Sequence, residues 1–155
     1  MTQRLADFTR THLGLAAKRG VPPPAGFQPQ AHEAPEDSWT LRKILVVDDE
    51  RDLADLAEVL LLGSGLEVRV AYSGLEALRI LESEPDTDAL FSDIMMPEMT
   101  GLQLAEAVAV LYPEIRIVLT SGFTPPALMS ERERNYHYVP KPYSMDAVLK
   151  LLRSA

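Results

Sequence analysis

Cysteine is absent from this 155-residue chain, so neither a disulfide nor a thiolate-ligated metal site can form. Histidine is nearly absent: His12, His32 and His137 are too scattered for a zinc site, and any metal must be held by oxygen. No apolar run approaches the roughly eighteen residues of a membrane helix, so the chain reads as soluble, with no membrane partner. A basic surplus is missing too. Of the formal charge of -8, none arises in residues 1–40, which hold four basic and four acidic side chains; residues 41–155 hold eleven basic and nineteen acidic ones. Phosphate backbones are bound by Lys and Arg in excess, so nucleic acid is not expected as a direct partner. The length suffices for one domain with a sizeable core and a modest extension, but not for a second full domain.

Proline is unevenly spread. Pro22, Pro23, Pro24, Pro29 and Pro35 fall among small and polar residues, too poor in amide donors and apolar anchors for packed structure, so residues 21–41 read as a linker. Residues 1–20 ahead of it hold Leu5, Phe8, His12 and Leu15 near helical spacing, amid Arg4, Arg10, Lys18 and Arg19. A short helix over 3–18 would fit, as a plain tail, a partner-docking or dimerising segment, or a cleaved targeting peptide.

From residue 42 to 155 the pattern changes. Short runs rich in β-branched residues, at 44–47, 67–71, 89–92, 115–119 and 138–139, alternate with helical patterns at 51–62, 74–83, 101–111, 125–134 and 144–153. Ser73 and Ser144 stand at N-cap positions, Gly63 follows the leucine-rich end of the first helix, and Pro113 stops the third. Five βα units with short connections predict an α/β fold, flavodoxin-like and doubly wound, whose five-stranded parallel sheet has the order 2-1-3-4-5. In such sheets, sites form at the carboxyl ends of the strands where the winding reverses.

The expected strand ends carry Asp48, Asp49 and Glu50, then Asp93, then Ser121 and Gly122, then Lys141 and Pro142. Carboxylates crowded in one partly buried cleft repel one another and call for a hard divalent cation, Mg²⁺ first and Mn²⁺ as an alternative. Such an ion would also neutralise an incoming phosphoryl group. Lys141 could pair with one phosphoryl oxygen and the Ser121 hydroxyl with another, leaving Asp93 to attack phosphorus and form an aspartyl phosphate.

The strings KILVVDDE (43–50), SDIMMPEMTG (92–101), IVLTSG (117–122) and VPKP (139–142), in this order and spacing, resemble the signature set of bacterial two-component response-regulator receiver domains. The resemblance covers about residues 42–154. It implies that Asp93 is the phosphoacceptor, that Asp48 and Asp49 with Asp93 and the Met95 backbone carbonyl hold Mg²⁺, and that Lys141 contacts the phosphoryl group. It also implies that Ser121 and Tyr138 form the switch, and that the Lys141–Pro142 bond is cis. The implied donor is a phosphohistidine of a sensor histidine kinase or a histidine phosphotransfer protein in the cytoplasm. The output would be binding of a downstream protein target, with homodimerisation open.

Three positions depart from the commonest pattern: Arg51 stands where a proline is frequent, and Met95 and Phe123 stand where polar residues are frequent. Apolar side chains at the latter two cannot activate a hydrolytic water, which implies a slowly decaying phosphoryl group. The last helix ends beside Ala155, as in the stand-alone chemotaxis-type receivers, and the alternative is the receiver portion of a hybrid histidine kinase. A Mg²⁺-dependent phosphatase with an aspartyl phosphate intermediate would carry a second Asp two residues after the nucleophile, where Met95 stands. The expectation is therefore a phosphoacceptor and switch module and not an enzyme. A flavin-binding domain of the same fold needs a phosphate-cradling first turn, and Asp48–Arg51 is acidic without glycine.

Overall fold

The computed structural model describes residues 39–122, 131 and 135–154. The segment 1–20, the linker up to residue 38 and, save for residue 131, the expected helix over 125–134 lie outside the described residues, as does Phe123.

Five parallel strands form one sheet in the order β2-β1-β3-β4-β5. They are β1 (Lys43–Val47), β2 (Glu67–Ala71), β3 (Ala89–Asp93), β4 (Arg116–Ser121) and β5 (His137–Pro140). The described helices are α1 (Arg51–Gly63), α2 (Gly74–Ser83), α3 (Gly101–Leu111) and α4 (Met145–Ser154). This is the expected doubly wound architecture and strand order. Strands β3 and β4 run further than expected, through Asp93 and Ser121, because Asp93 pairs with Thr120 in register and Ser121 with Pro140.

Alternation along the strands sorts the core into two layers. Ile44, Val46, Phe91 and Val118 face α1 and α4, which contribute Leu61 and Leu152. Leu45, Val47, Leu90 and Leu119 face the opposite way, toward Leu81 of α2 and Leu104 of α3. All five residues of β1 and of β3 are buried, which explains the apolar runs at residues 44–47 and 89–91.

Local signals place the helix ends. Ser73 Oγ accepts the Glu76 amide at 3.2 Å, Ser144 Oγ accepts the Ala147 amide at 3.2 Å, and Thr100 with Gln103 closes a capping box. The end of α1 differs from expectation. Gly63 is its last helical residue, and the left-handed position is Gly65, at φ 84°, with the Leu66 amide returning to the Leu61 carbonyl. The packed unit begins at Trp39, within the stretch expected as linker. The Arg116 guanidinium lies 3.6 Å over the Trp39 ring centre, and Leu41 is buried in the core.

At the amino edge of the sheet the buried Lys43 ammonium meets Glu84 at 2.8 Å, Asp86 at 3.2 Å and Glu67 at 3.7 Å. Glu84 also takes Arg69 Nε at 2.9 Å. Hydrogen bonding to Lys43, and then to Arg69, holds the Glu84 carboxyl below its ordinary value of 4.5. A carboxyl depressed by folding contributes stability above its ordinary range and loses it as the pH falls through the folded value. The urea midpoint of the wild type should therefore drop steeply below about pH 4.5, whereas Glu84→Gln, less stable at neutral pH, should show a shallower acid limb. Parallel acid limbs would remove Glu84 from the linkage.

Candidate functional site

Each side chain of interest is delivered by a strand end. Strand β1 delivers Asp48, 4% exposed, and strand β3 delivers Asp93, 5% exposed. Asp49 follows on the open side of the turn, and carboxylate oxygens of Asp48, Asp49 and Asp93 lie within 4.8 Å of one another. The Asp48 Oδ1 accepts the Glu50 amide at 2.9 Å, which fixes that carboxylate over the start of α1. The Asp93 Oδ1 accepts the Met95 amide at 3.3 Å.

Lys141 leaves the end of β5 and reaches past β4 to the two innermost strands. Its Nζ lies 3.2 Å from Asp48 Oδ2 and 3.2 Å from Asp93 Oδ2. Burial raises the Asp93 carboxyl, Lys141 opposes that rise, and the charge of Asp48 adds to it. Burial pulls the Lys141 ammonium down, but the charges of Asp93 and then Asp48 outweigh it and leave the group raised. Lys141 therefore stays cationic among carboxylates that outnumber it.

The remaining expected residues sit beside this centre. Ser121 is buried, and its carbonyl accepts both the Lys141 amide at 3.1 Å and the Tyr138 hydroxyl at 3.0 Å. The Lys141–Pro142 bond is cis. Met95 stands in the loop after Asp93 and is 58% exposed. The structure thus brings Asp48, Asp49, Asp93 and Lys141 into one cluster and joins Ser121 and Tyr138 to it through a backbone carbonyl.

Two residues not singled out in the sequence also belong to this region. Tyr143 packs edge-on against Phe91, with ring centres 5.0 Å apart, and its hydroxyl is raised by burial and next by the charge of Asp48. Thr120, a hydroxyl directly after the apolar run Ile117–Leu119, is register partner to Asp93. That hydroxyl was the signal available in the sequence. Beside Lys141, a groove of about 310 Å³ runs between Leu53, Leu56 and Leu60 of α1 and Pro142 and Tyr143.

Comparison with known proteins places this geometry. The family model described as the response regulator receiver domain matches residues 44–153. The transcriptional regulatory protein GlrR of Escherichia coli (strain K12) is 31% identical over 114 residues, which cover 72% of this chain and 26% of that protein. The sensor kinase CckA of Brucella abortus (strain 2308) is 31% identical over 135 residues, covering 84% of this chain and 14% of the kinase. The chain therefore spans about a quarter of one of these curated relatives and about a seventh of the other. Among solved structures, the chemotaxis protein CheY4 of Vibrio cholerae matches with TM-score 0.66 at 28% identity, over 74% of this chain and 98% of that one. A structure of the histidine kinase ThkA in complex with the response regulator protein TrrA matches with TM-score 0.65 at 27% identity, over 73% of this chain and 97% of that one.

Gly101 holds Asp93 in place from behind. Its amide bonds the Ile94 carbonyl at 2.9 Å, and a Cβ at this position would land on the Asp93 carbonyl oxygen. Gly101→Ala should therefore lose about 1–3 kcal/mol in urea denaturation and shift the Asp93 amide resonance. Gly63→Ala, where a Cβ meets nothing within 4 Å, should be neutral or stabilising. Equal effects of the two substitutions would contradict the close approach at Gly101.

Proposed function

This chain belongs to the response regulator receiver domain family, and on that premise we propose that Asp93 is its phosphoacceptor and Lys141 the group that follows the phosphoryl charge. The chain is a phosphorylation-dependent signalling receiver. The observation that carries the assignment is the shared ammonium: Lys141 Nζ lies at 3.2 Å from both Asp48 and Asp93, and Asp93 is the carboxylate at the end of the central strand.

The carboxylates of Asp48, Asp49 and Asp93 fit a hard cation, since three oxygen donors within 4.8 Å of one another face a single ammonium. With the Met95 carbonyl they would hold Mg²⁺, or Mn²⁺ in its place, and the ion would neutralise negative charge on the transferring group. The chain's own residues do the rest. An Asp93 oxygen attacks phosphorus, the P–N bond of the donor phosphohistidine breaks, and the electron pair stays on the imidazole nitrogen. Once Asp93 is esterified it no longer offers Lys141 a full negative charge, and the ammonium turns to a phosphoryl oxygen. The Ser121 hydroxyl bonds a second phosphoryl oxygen, and movement of Ser121 is passed to Tyr138 through the carbonyl that Tyr138 already holds. Tyr138 then alters the surface offered to a downstream protein.

The donor in this reading is a sensor histidine kinase or a histidine phosphotransfer protein, which places the chain in the cytoplasm. The apolar groove between α1 and Pro142 supports docking of that donor, because Lys141 lines both the groove and the carboxylate cluster. Met95 offers no carboxyl to act as a general acid on a bound ester, which weighs against a phosphatase.

Incubation with Mg²⁺ and acetyl phosphate should add one phosphoryl mass to the wild type and none to Asp93→Asn; equal labelling of the two would move the acceptor elsewhere. A second outcome concerns lifetime. The exposed thioether of Met95 cannot orient a water toward phosphorus, whereas an amide can. Met95→Asn should lose phosphate about tenfold faster than the wild type at equal Mg²⁺, well short of the roughly hundredfold that a full general base supplies. An unchanged first-order rate would mean that Met95 does not set the lifetime.

A further inference from the structure

Thr120 carries a feature that the proposed phosphoryl transfer has not used. It is 1% exposed, and its hydroxyl oxygen finds no hydrogen-bond partner among the described residues. A buried hydroxyl without a partner is destabilising, and an apolar residue of the same shape would fill the position without that penalty. Native chains keep few such groups, so each calls for a reason.

The sheet geometry supplies one. Thr120 is the register partner of Asp93 on one side and of Val139 on the other. Phe91 and Val118, two residues before Asp93 and Thr120, are likewise partners and lie in the same core layer. With a side-chain period of two, Asp93 and Thr120 share that face of the sheet. Lys141 starts at the end of β5, and its ammonium meets carboxylates on β3 and β1, so its stem has to pass over β4, the strand between. An ammonium has three N–H donors. Two are directed at Asp48 and Asp93, and the third meets no acceptor among the described residues.

We propose that Thr120 is a positioning residue for Lys141: its buried hydroxyl accepts the third ammonium proton when Lys141 leaves Asp93 for the phosphoryl oxygen. The inference rests on the receiver reading above and adds a residue to it. In the unphosphorylated state the ammonium is drawn toward β3 and β1 by two carboxylates and passes Thr120 by. Esterification of Asp93 weakens that pull, and the ammonium settles back over β4, where the hydroxyl meets it. Its lone pair then fixes the direction in which Lys141 points its remaining donors.

The test compares Thr120→Val, which keeps the shape and removes the hydroxyl, with Thr120→Ser, which keeps the hydroxyl. Three readouts are needed: the urea midpoint, the affinity for beryllium fluoride in the presence of Mg²⁺, and the rate of labelling by acetyl phosphate. Thr120→Val should be at least as stable as the wild type, yet bind beryllium fluoride and accept phosphate roughly tenfold less well, the scale of one hydrogen bond to a charged group. Thr120→Ser should recover both. A role in packing alone would move stability and function in the same direction. Wild-type affinity and labelling in Thr120→Val would overturn the inference and leave the receiver reading intact, as would a loss that Thr120→Ser fails to recover. A wild type that takes up neither phosphate nor beryllium fluoride would overturn the receiver reading and this inference with it.

Discussion

A single ammonium held between two buried carboxylates organises the carboxyl edge of this sheet. Asp48 and Asp93 come from adjacent parallel strands and are almost fully shielded from water, so their charges repel across a medium that screens poorly. Lys141 offsets that repulsion for both at once, at 3.2 Å from each. The compensation is incomplete, because Asp49 adds a third carboxylate and burial still raises Asp93 from its ordinary value. An arrangement with residual negative charge around one shared cation is sensitive to a change in either charge. In the proposed reaction, phosphorylation would alter the charge at Asp93, and a divalent ion would alter it at Asp48 and Asp49.

For the ammonium to respond, the backbone around it has to stay fixed, and the fold supplies that rigidity. Strands β1 and β3 are buried along their whole length between two layers of helices. Behind Asp93, the start of α3 approaches so closely that only glycine fits at residue 101. The loop between them contains Glu98 in the left-handed region at φ 65°, an unfavourable conformation for a residue with a side chain. Local strain of this kind persists only where the surrounding structure over-determines it.

The amino edge of the sheet is built on different terms. There Lys43 is enclosed by Glu67, Glu84 and Asp86, while the Asp88 carboxylate ties down the amides of Arg42 and Lys43, both at 2.9 Å. Arg116 stacks on Trp39 and donates to the Leu152 carbonyl at 2.9 Å, joining the start of the packed unit to the last turn of α4. Here the carboxylates are tied to two cations and to backbone amides, as befits an edge that holds shape. At the opposite edge three carboxylates crowd around one ammonium.

The sequence determined the layers of this protein because the forces behind them are local. Period-two apolar runs, helical spacing, and caps such as Ser73 and Thr100 each act within a few residues, and together they dictate five βα units and a doubly wound parallel sheet. The strand-end positions of Asp48, Asp93, Ser121 and Lys141 were legible for the same reason. Smaller features were not: Gly65 takes the left-handed turn that Gly63 was expected to mark, and Trp39 joins the core through Arg116, far along the chain. Neither periodicity nor motif could say that Lys141 shares its ammonium between two carboxylates, or that Thr120 is left with none to meet. Lys141 and Asp48 lie 93 positions apart, and their meeting depends on the register of several strand pairings and the reach of one side chain. Polar contacts are decided over a few tenths of an ångström, at distances that only the assembled sheet sets.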